Sequence, residues 1–229
     1  FRFGEGDTSA TENTTVYITP TGMTINEALS LAYGTEENPV TIQIAEGTYS
    51  PSQTGEEYPL QMVNWVSLIG AGEELTILDA EGFSQVIIFY NVVGVSIEEL
   101  SIRGGNAGPY QEGGGGIAIR LSSPTLEHIT VENNTANKGG GMYLRNGSNP
   151  TLIDVTISGN TAEYGGGMYV DYNCCTEEAS NPILTNVAIV NNNNSGLYLE
   201  HSDPILTNVI ISGNTGGTGG MVANESNPI

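Results

Sequence analysis

Cations are scarce in this chain. Its 229 residues carry 5 Lys plus Arg against 26 Asp plus Glu, a formal net charge of −21. So acidic a surface repels nucleic acid phosphates and anionic lipid headgroups, so neither is expected as a partner. Long apolar runs are missing too, and nothing approaches the ~20 residues that a membrane-spanning helix needs. Cysteine is limited to the adjacent pair Cys174 and Cys175. Neighbouring Cα atoms lie about 3.8 Å apart, below the usual disulfide range, so a bridge between them would be strained. The pair reads as free or partly oxidised loop thiols, with a strained vicinal disulfide or a bond to another chain as the alternatives. The excess of carboxylates favours solubility and, in suitable geometry, could hold a hard cation. No cofactor is expected, with calcium as the one candidate should the carboxylates converge.

What is present is repetition. Ser-Pro-Thr-Leu (123–126), Ile-Thr-Val (129–131), Glu-Asn-Asn-Thr-Ala (132–136) and Gly-Gly-Gly-Met-Tyr-Leu (139–144) return as Asn-Pro-Thr-Leu (149–152), Val-Thr-Ile (155–157), Ser-Gly-Asn-Thr-Ala (158–162) and Gly-Gly-Gly-Met-Tyr-Val (165–170). The steps between Pro124, Pro150, Pro182, Pro204 and Pro228 are 26, 32, 22 and 24 residues. A unit this short cannot bury its own apolar face and must stack on copies of itself. The 32-residue step contains Asp171–Ser180, which reads as an insertion on a regular core.

One domain is expected over 1–229, with a strand and helical cap at 1–39, irregular coils at 40–122 and regular repeats at 123–229. Thr24 as N-cap, Glu27 at the capping-box position, apolar Ile25, Ala28, Leu29 and Ala32, and Gly34 just beyond predict a helix at about Thr24–Tyr33. Such a helix would cover one end of the stacked core. Val40–Ile44 alternates as a strand, and short β-branched runs follow it. The chain opens on Phe1, as a processed or excised chain would. Asn227-Pro-Ile229 begins another coil, so a longer parent, or end-to-end self-association through an open C-terminal coil, is expected.

These repeats resemble the right-handed parallel β-helix of the pectate-lyase-like superfamily. The Gly-Asn-Thr-Ala and Gly-Gly-Met-Tyr pieces are similar to repeats of secreted bacterial surface proteins, including the polymorphic outer-membrane family. The stretch Thr-Ile-Gln-Ile-Ala-Glu-Gly-Thr-Tyr (41–49) is similar to the N-terminal caps of such proteins. The resemblance implies an all-β, right-handed parallel β-helix with three strands per coil and a short N-terminal capping helix. It also implies an extracellular or cell-surface location.

Alternation along the Gly-Gly-Met-Tyr strand makes Met142/Leu144, Met168/Val170 and Leu197/Leu199 inward pairs. Tyr143, Tyr169 and Tyr198 then form an outward aromatic column, with Arg145, Asp171 and Glu200 beside it. Aromatic rings pack on sugar faces and charges bond hydroxyls, so these six are the candidate ligand-binding residues. A ladder of like residues that stabilises the sheet is the competing reading. Asp171 and Glu200, one coil apart, could form a carboxylate pair of the retaining-glycosidase kind. Glu99, His128, Asp154, Asn186 and Asn208 read as a polar column in a tight left-handed turn. Asn134, Asn160, Asn192 and Asn214 read as a column that satisfies backbone groups.

Catalytic motifs are absent. Neither the Gly-His-Gly nor the Arg-Ile-Lys signature of the related polygalacturonases occurs. The basic residues that pectate lyases use reduce here to Arg2, Arg103, Arg120, Lys138 and Arg145. The outward column Ser101, Thr130, Thr156, Ala188 and Ile210 is too irregular for an ice-binding array. The expected function is an extracellular structural or adhesive module without catalysis, such as a stalk, a filament or a surface that meets a glycan or a protein. A polysaccharide-active lyase, hydrolase or esterase working on the Tyr-lined face is the alternative.

Overall fold

Runs of three to eight apolar-alternating residues cannot pair within one coil, so their N–H and C=O groups must bond the coils on either side. The computed structural model, which describes residues 14–108, 111, 113–172 and 178–229, does this with parallel pairs throughout the described strands. One sheet follows the whole stack. Its main path has eight strands: Thr14–Ile18, Val40–Ile44, Val66–Ile69, Ser96–Arg103, Thr125–Glu132, Thr151–Ser158, Ile183–Thr185 and Ile205–Thr207. A second sheet holds Leu60–Gln61, Ile87–Tyr90, Ile117–Arg120, Met142–Arg145, Met168–Val170, Leu197–Glu200 and Met221–Asn224. The third face pairs Thr135–Lys138 with Thr161–Tyr164 and continues in single bridges at Asn106, Asn193 and Thr215. Among the described residues the architecture is an all-β parallel β-helix with one short helix.

The expected register holds: Leu126 faces Leu152 and Met142 faces Met168. All six inward residues of the Gly-Gly-Met-Tyr strands are buried, in one core with Leu126, Ile129 and Val131 and their counterparts. The division of the coil differs from the reading of the repeats. Pro-Thr-Leu and Ile-Thr-Val are halves of one bent strand, Thr125–Glu132, with His128 at φ 48° at the bend. The third strand comes instead from Thr-Ala-x-x, which has too few apolar residues to read as a strand. Glu99, Asp154, Asn186 and Asn208 occupy the same bend at φ 52–58°, as their tolerance of left-handed backbone predicts.

The helix spans Ile25–Leu31 and both halves of the capping box form, Thr24 Oγ1 accepting from the Glu27 N–H and Glu27 from that of Thr24. Its end is not the glycine turn expected at Gly34. Ala32 caps the helix in extended conformation. Gly34 lies against the backbone of Trp65, where a Cβ would meet the carbonyl oxygen at 2.2 Å. Glu56 is buried and accepts from the N–H groups of Ile25 and Asn26, at 2.8 Å each. A carboxylate from a distant turn therefore holds the first helical turn on the stack.

The asparagine column lies inside the coil. Asn160 Oδ1 accepts from both the N–H and the Nδ2 of Asn134, each at 3.0 Å, while Asn160 Nδ2 donates to the Val131 carbonyl at 2.9 Å. Asn160 and Asn192 repeat the same contact, as do Asn192 and Asn214. Removing one partner from a buried hydrogen bond costs about 1–3 kcal/mol per orphaned group. Asn160→Ala is expected to destabilise the protein by roughly 3 kcal/mol or more on that basis. Asn149→Ala, in an exposed column, should cost about 1 kcal/mol or less. Urea midpoints of the two variants check this, and equal midpoints would deny the buried ladder its role.

Candidate functional site

The outward positions of the second sheet form two columns. The first contains Ala118, Tyr143, Tyr169, Tyr198 and Val222 in register. The second begins Tyr90, Arg120, Arg145; Asp171, just after its strand, and Glu200, the last residue of its own, hold the same outward step. All six candidate residues meet on this face. The phenols stack as a continuous series: Tyr143 and Tyr169 are 5.8 Å apart and tilted by 50°, Tyr169 and Tyr198 are 4.8 Å apart and nearly parallel. Tyr164, from the third face, meets Tyr198 edge-on at 5.9 Å.

This column points away from the helical core, yet most of it is not open to solvent. Tyr143 and Tyr169 are 1% and 3% exposed, and Tyr198 is only partly exposed. Long side chains cover the rings. Lys138 reaches across from the third face, its Nζ 4.6 Å from the centre of the Tyr169 ring, a cation–π geometry. Lys138 Nζ and Arg145 Nε also lie 3.7 and 4.0 Å from Asp171 Oδ2. With Arg120 in the same column as Arg145, three of the chain's five Lys and Arg residues gather here.

Each acid is engaged by a phenol of the preceding coil. Tyr143 donates its hydroxyl to Asp171, and Tyr169 donates to Glu200. One coil further on, Asn224 Nδ2 donates to the Tyr198 oxygen at 2.7 Å. The result is a diagonal in which an outward residue bonds the next outward position one coil along. Burial is the main force that pushes the Asp171 carboxyl above the usual range; the Tyr143 hydrogen bond and the two cations pull the other way. Burial, and then donation to Glu200, push the Tyr169 hydroxyl far above an ordinary phenol. Such a phenol stays protonated at neutral pH and serves as a hydrogen-bond donor, not a base.

The remaining candidates disperse. His128 sits between Glu99 at 3.5 Å and Asp154 at 3.6 Å on the outer bend of the first sheet. Among the described residues no group of three or more His, Cys, Asp or Glu is placed to hold a metal ion. Cys174 and Cys175 lie outside the described residues.

A serine column lies beside these residues. Ser122, Ser148, Ser180, Ser202 and Ser226 recur at the same steps as the prolines. Each of Val92, Ser122, Ser148 and Ser202 donates its N–H to the serine hydroxyl of the next coil, at 3.0–3.5 Å. That column lines the turns leaving the second sheet. Beside it lies a cleft of about 520 Å³ formed by Val92–Gly94, Leu121–Ser123, Asn146, Gly147, Asn149, Glu178 and Ala179.

Fold and face together define a parallel β-helix with an interlocked array of phenols and charges on one outer sheet. Residues 84–229 match the family model described as a right handed beta helix region, and the chain belongs to that family. No curated protein matches it. Among solved structures, the pectate lyase Pel9A superposes with a TM-score of 0.61 at 14% identity, covering 90% of this chain and 55% of that one. A mutant pectin methylesterase in complex with a hexasaccharide superposes with a TM-score of 0.56 at 15% identity, covering 82% and 61%. Both likenesses are of fold, and this chain spans little more than half the length of either.

Because burial raises the folded-state pKa of Asp171, the native protein holds its proton more tightly than the unfolded chain does. The stability this group contributes is therefore fully present below its unfolded value of about 3.9 and is lost as pH rises through the higher folded value. Asp171→Asn keeps an acceptor for Tyr143 and removes the titration. Relative to the variant, wild-type urea midpoints are expected to fall as pH rises above ~4; parallel profiles would contradict it.

Proposed function

We propose that this chain is a non-catalytic module of an extracellular surface or stalk protein, a rigid β-helix that meets a glycan or another protein through its sides. The observation that carries this reading is the engagement of both candidate carboxylates. A catalytic acid or base must reach a substrate proton, and a nucleophile must reach a carbon. Asp171 is instead buried beneath Tyr143, Lys138 and Arg145, and Glu200 takes the hydroxyl of Tyr169. The net charge of −21 supports solubility outside the cell and disfavours nucleic acid.

A second reading has an observation in its favour. Three of the few cations gather over the same outer face, Arg120 and Arg145 from its own strands and Lys138 from the third face, and the fold is shared with a pectate lyase and a pectin methylesterase. On that reading the face acts on a polysaccharide, with Arg120, Lys138 and Arg145 holding an acidic sugar.

Turnover and binding separate the two. Assays of reducing ends, unsaturated products and released methanol over acidic and neutral polysaccharides are expected to show no turnover, while a glycan array or immobilised surface proteins show retention. Turnover abolished by Glu200→Gln would overturn the proposal and favour the enzyme.

A further inference from the structure

We infer that the cavity between the end of the helix and the turn at Trp65 binds the protonated amine of an amino sugar in a glycan. The inference rests on the surface-module reading and names the kind of glycan that such a module meets. The cavity holds about 380 Å³, within the ~300–1,000 Å³ of small-molecule sites, and Tyr33, Glu36, Val63, Asn64 and Trp65 line it.

Trp65 stands where the backbone suits glycine. Leu68 pairs with Ile97, and three residues before each lie Trp65 and Gly94, both left-handed, at φ 58° and 66°. Glycine adopts that conformation freely, whereas a bulky side chain bears a steric cost. The neighbouring backbone is cleared for the indole. A Cβ on Gly94 would meet its six-membered ring at 1.9 Å, and one on Gly34 would meet the Trp65 Cβ at 2.9 Å. The ring thus rests on Gly94, yet the residue stays half-buried and lines the cavity. Strain that the surroundings are shaped to hold points to a use for the indole.

The polar groups of the cavity are accessible and not spent on the protein. Asn64 is exposed, and its Oδ1 accepts from the Val93 N–H at 3.1 Å, which leaves the amide Nδ2 to donate outward. The Tyr33 hydroxyl, the Trp65 indole N–H and the Glu36 carboxylate bond no described residue. Tyr33 is 48% exposed and Glu36 is exposed as well. Charge chooses the ligand. Glu36 is the one carboxylate in the described lining, and it shares the cavity with two aromatic side chains. An ammonium group is attracted by a carboxylate and by aromatic faces alike. The field of a chain of net charge −21 concentrates cations further. The pyranose ring that carries the amine adds C–H bonds for the aromatic surface and hydroxyls for Asn64 and the indole N–H.

The test is fluorescence of Trp65, the only tryptophan of the chain, together with calorimetry. The whole protein is titrated with the glucosamine hexamer slightly below neutral pH, where the sugar amines are protonated. The N-acetylglucosamine hexamer and hexalysine are the comparisons. The glucosamine hexamer is expected to shift the emission saturably and to bind about tenfold or more tighter than either comparison. Glu36→Gln and Tyr33→Ala should each weaken it about tenfold or more, with circular dichroism unchanged. Glu225→Gln removes the same charge from an exposed side chain beyond the last strand and should leave the affinity unchanged, which separates the cavity from the general attraction of a polycation. Equal binding of the N-acetylated hexamer, tighter binding of hexalysine, an equal loss in Glu225→Gln, or neither heat nor emission shift would overturn the inference. Those outcomes leave the surface-module reading standing. Release of shorter sugars from a probe would remove that reading instead, whatever the cavity variants do.

Discussion

No described strand of this protein closes on itself within one coil. Each strand finds its hydrogen-bond partners in the coils on either side, and where the chain bends between strands the side chains do the same. The asparagine ladder is the strictest case. Asn134, Asn160 and Asn192 are completely buried; the oxygens of Asn160 and Asn192 accept from the preceding asparagine, and that of Asn134 accepts from the Gly105 N–H. A buried polar group without its partner is costly, so these contacts are all or none along the stack. They also fix register, because a slip of one residue would place apolar side chains opposite amides.

That dependence explains why the repeat was legible and the details were not. Steps of 22 to 32 residues with constant strand lengths showed stacking, and the inward pairs followed from alternation. The left-handed bend was readable because Glu99, His128, Asp154, Asn186 and Asn208 recur at one point in the repeat. The union of two apolar runs into Thr125–Glu132 was not, since a left-handed residue looks like a turn in sequence whether or not pairing resumes beyond it. Glu56 was hidden for another reason. Its partners, Ile25 and Asn26, lie some thirty residues away and offer only backbone N–H groups, which leave no mark on composition.

The tyrosine column shows how far a face can be read from alternation. Its direction was evident, because Tyr143, Tyr169 and Tyr198 alternate with core residues. Its burial was not, because that depends on Lys138 arriving from a different face over the Tyr169 ring and on Asp171 closing on the Tyr143 hydroxyl. Flexible side chains cover an aromatic surface without any periodic signal. Outward is thus a statement about the core, and exposure is a separate matter settled by what lies on adjacent faces.

The same logic locates where recognition can occur on such a fold. In a well-formed column each polar group is answered by its neighbour one coil along, as Tyr143 is by Asp171 and Tyr169 by Glu200. Regular columns therefore stiffen the stack and leave few valences for a ligand. Unanswered groups collect where the repeat changes, at turns whose lengths differ between coils or whose residue type departs from its column. Leu121, exposed at a left-handed position where the coils on either side carry Asn91 and Asn146, is such a departure. A β-helix of this kind keeps its stability in the columns and its specificity in their interruptions, so substitutions in the two places should act on different properties.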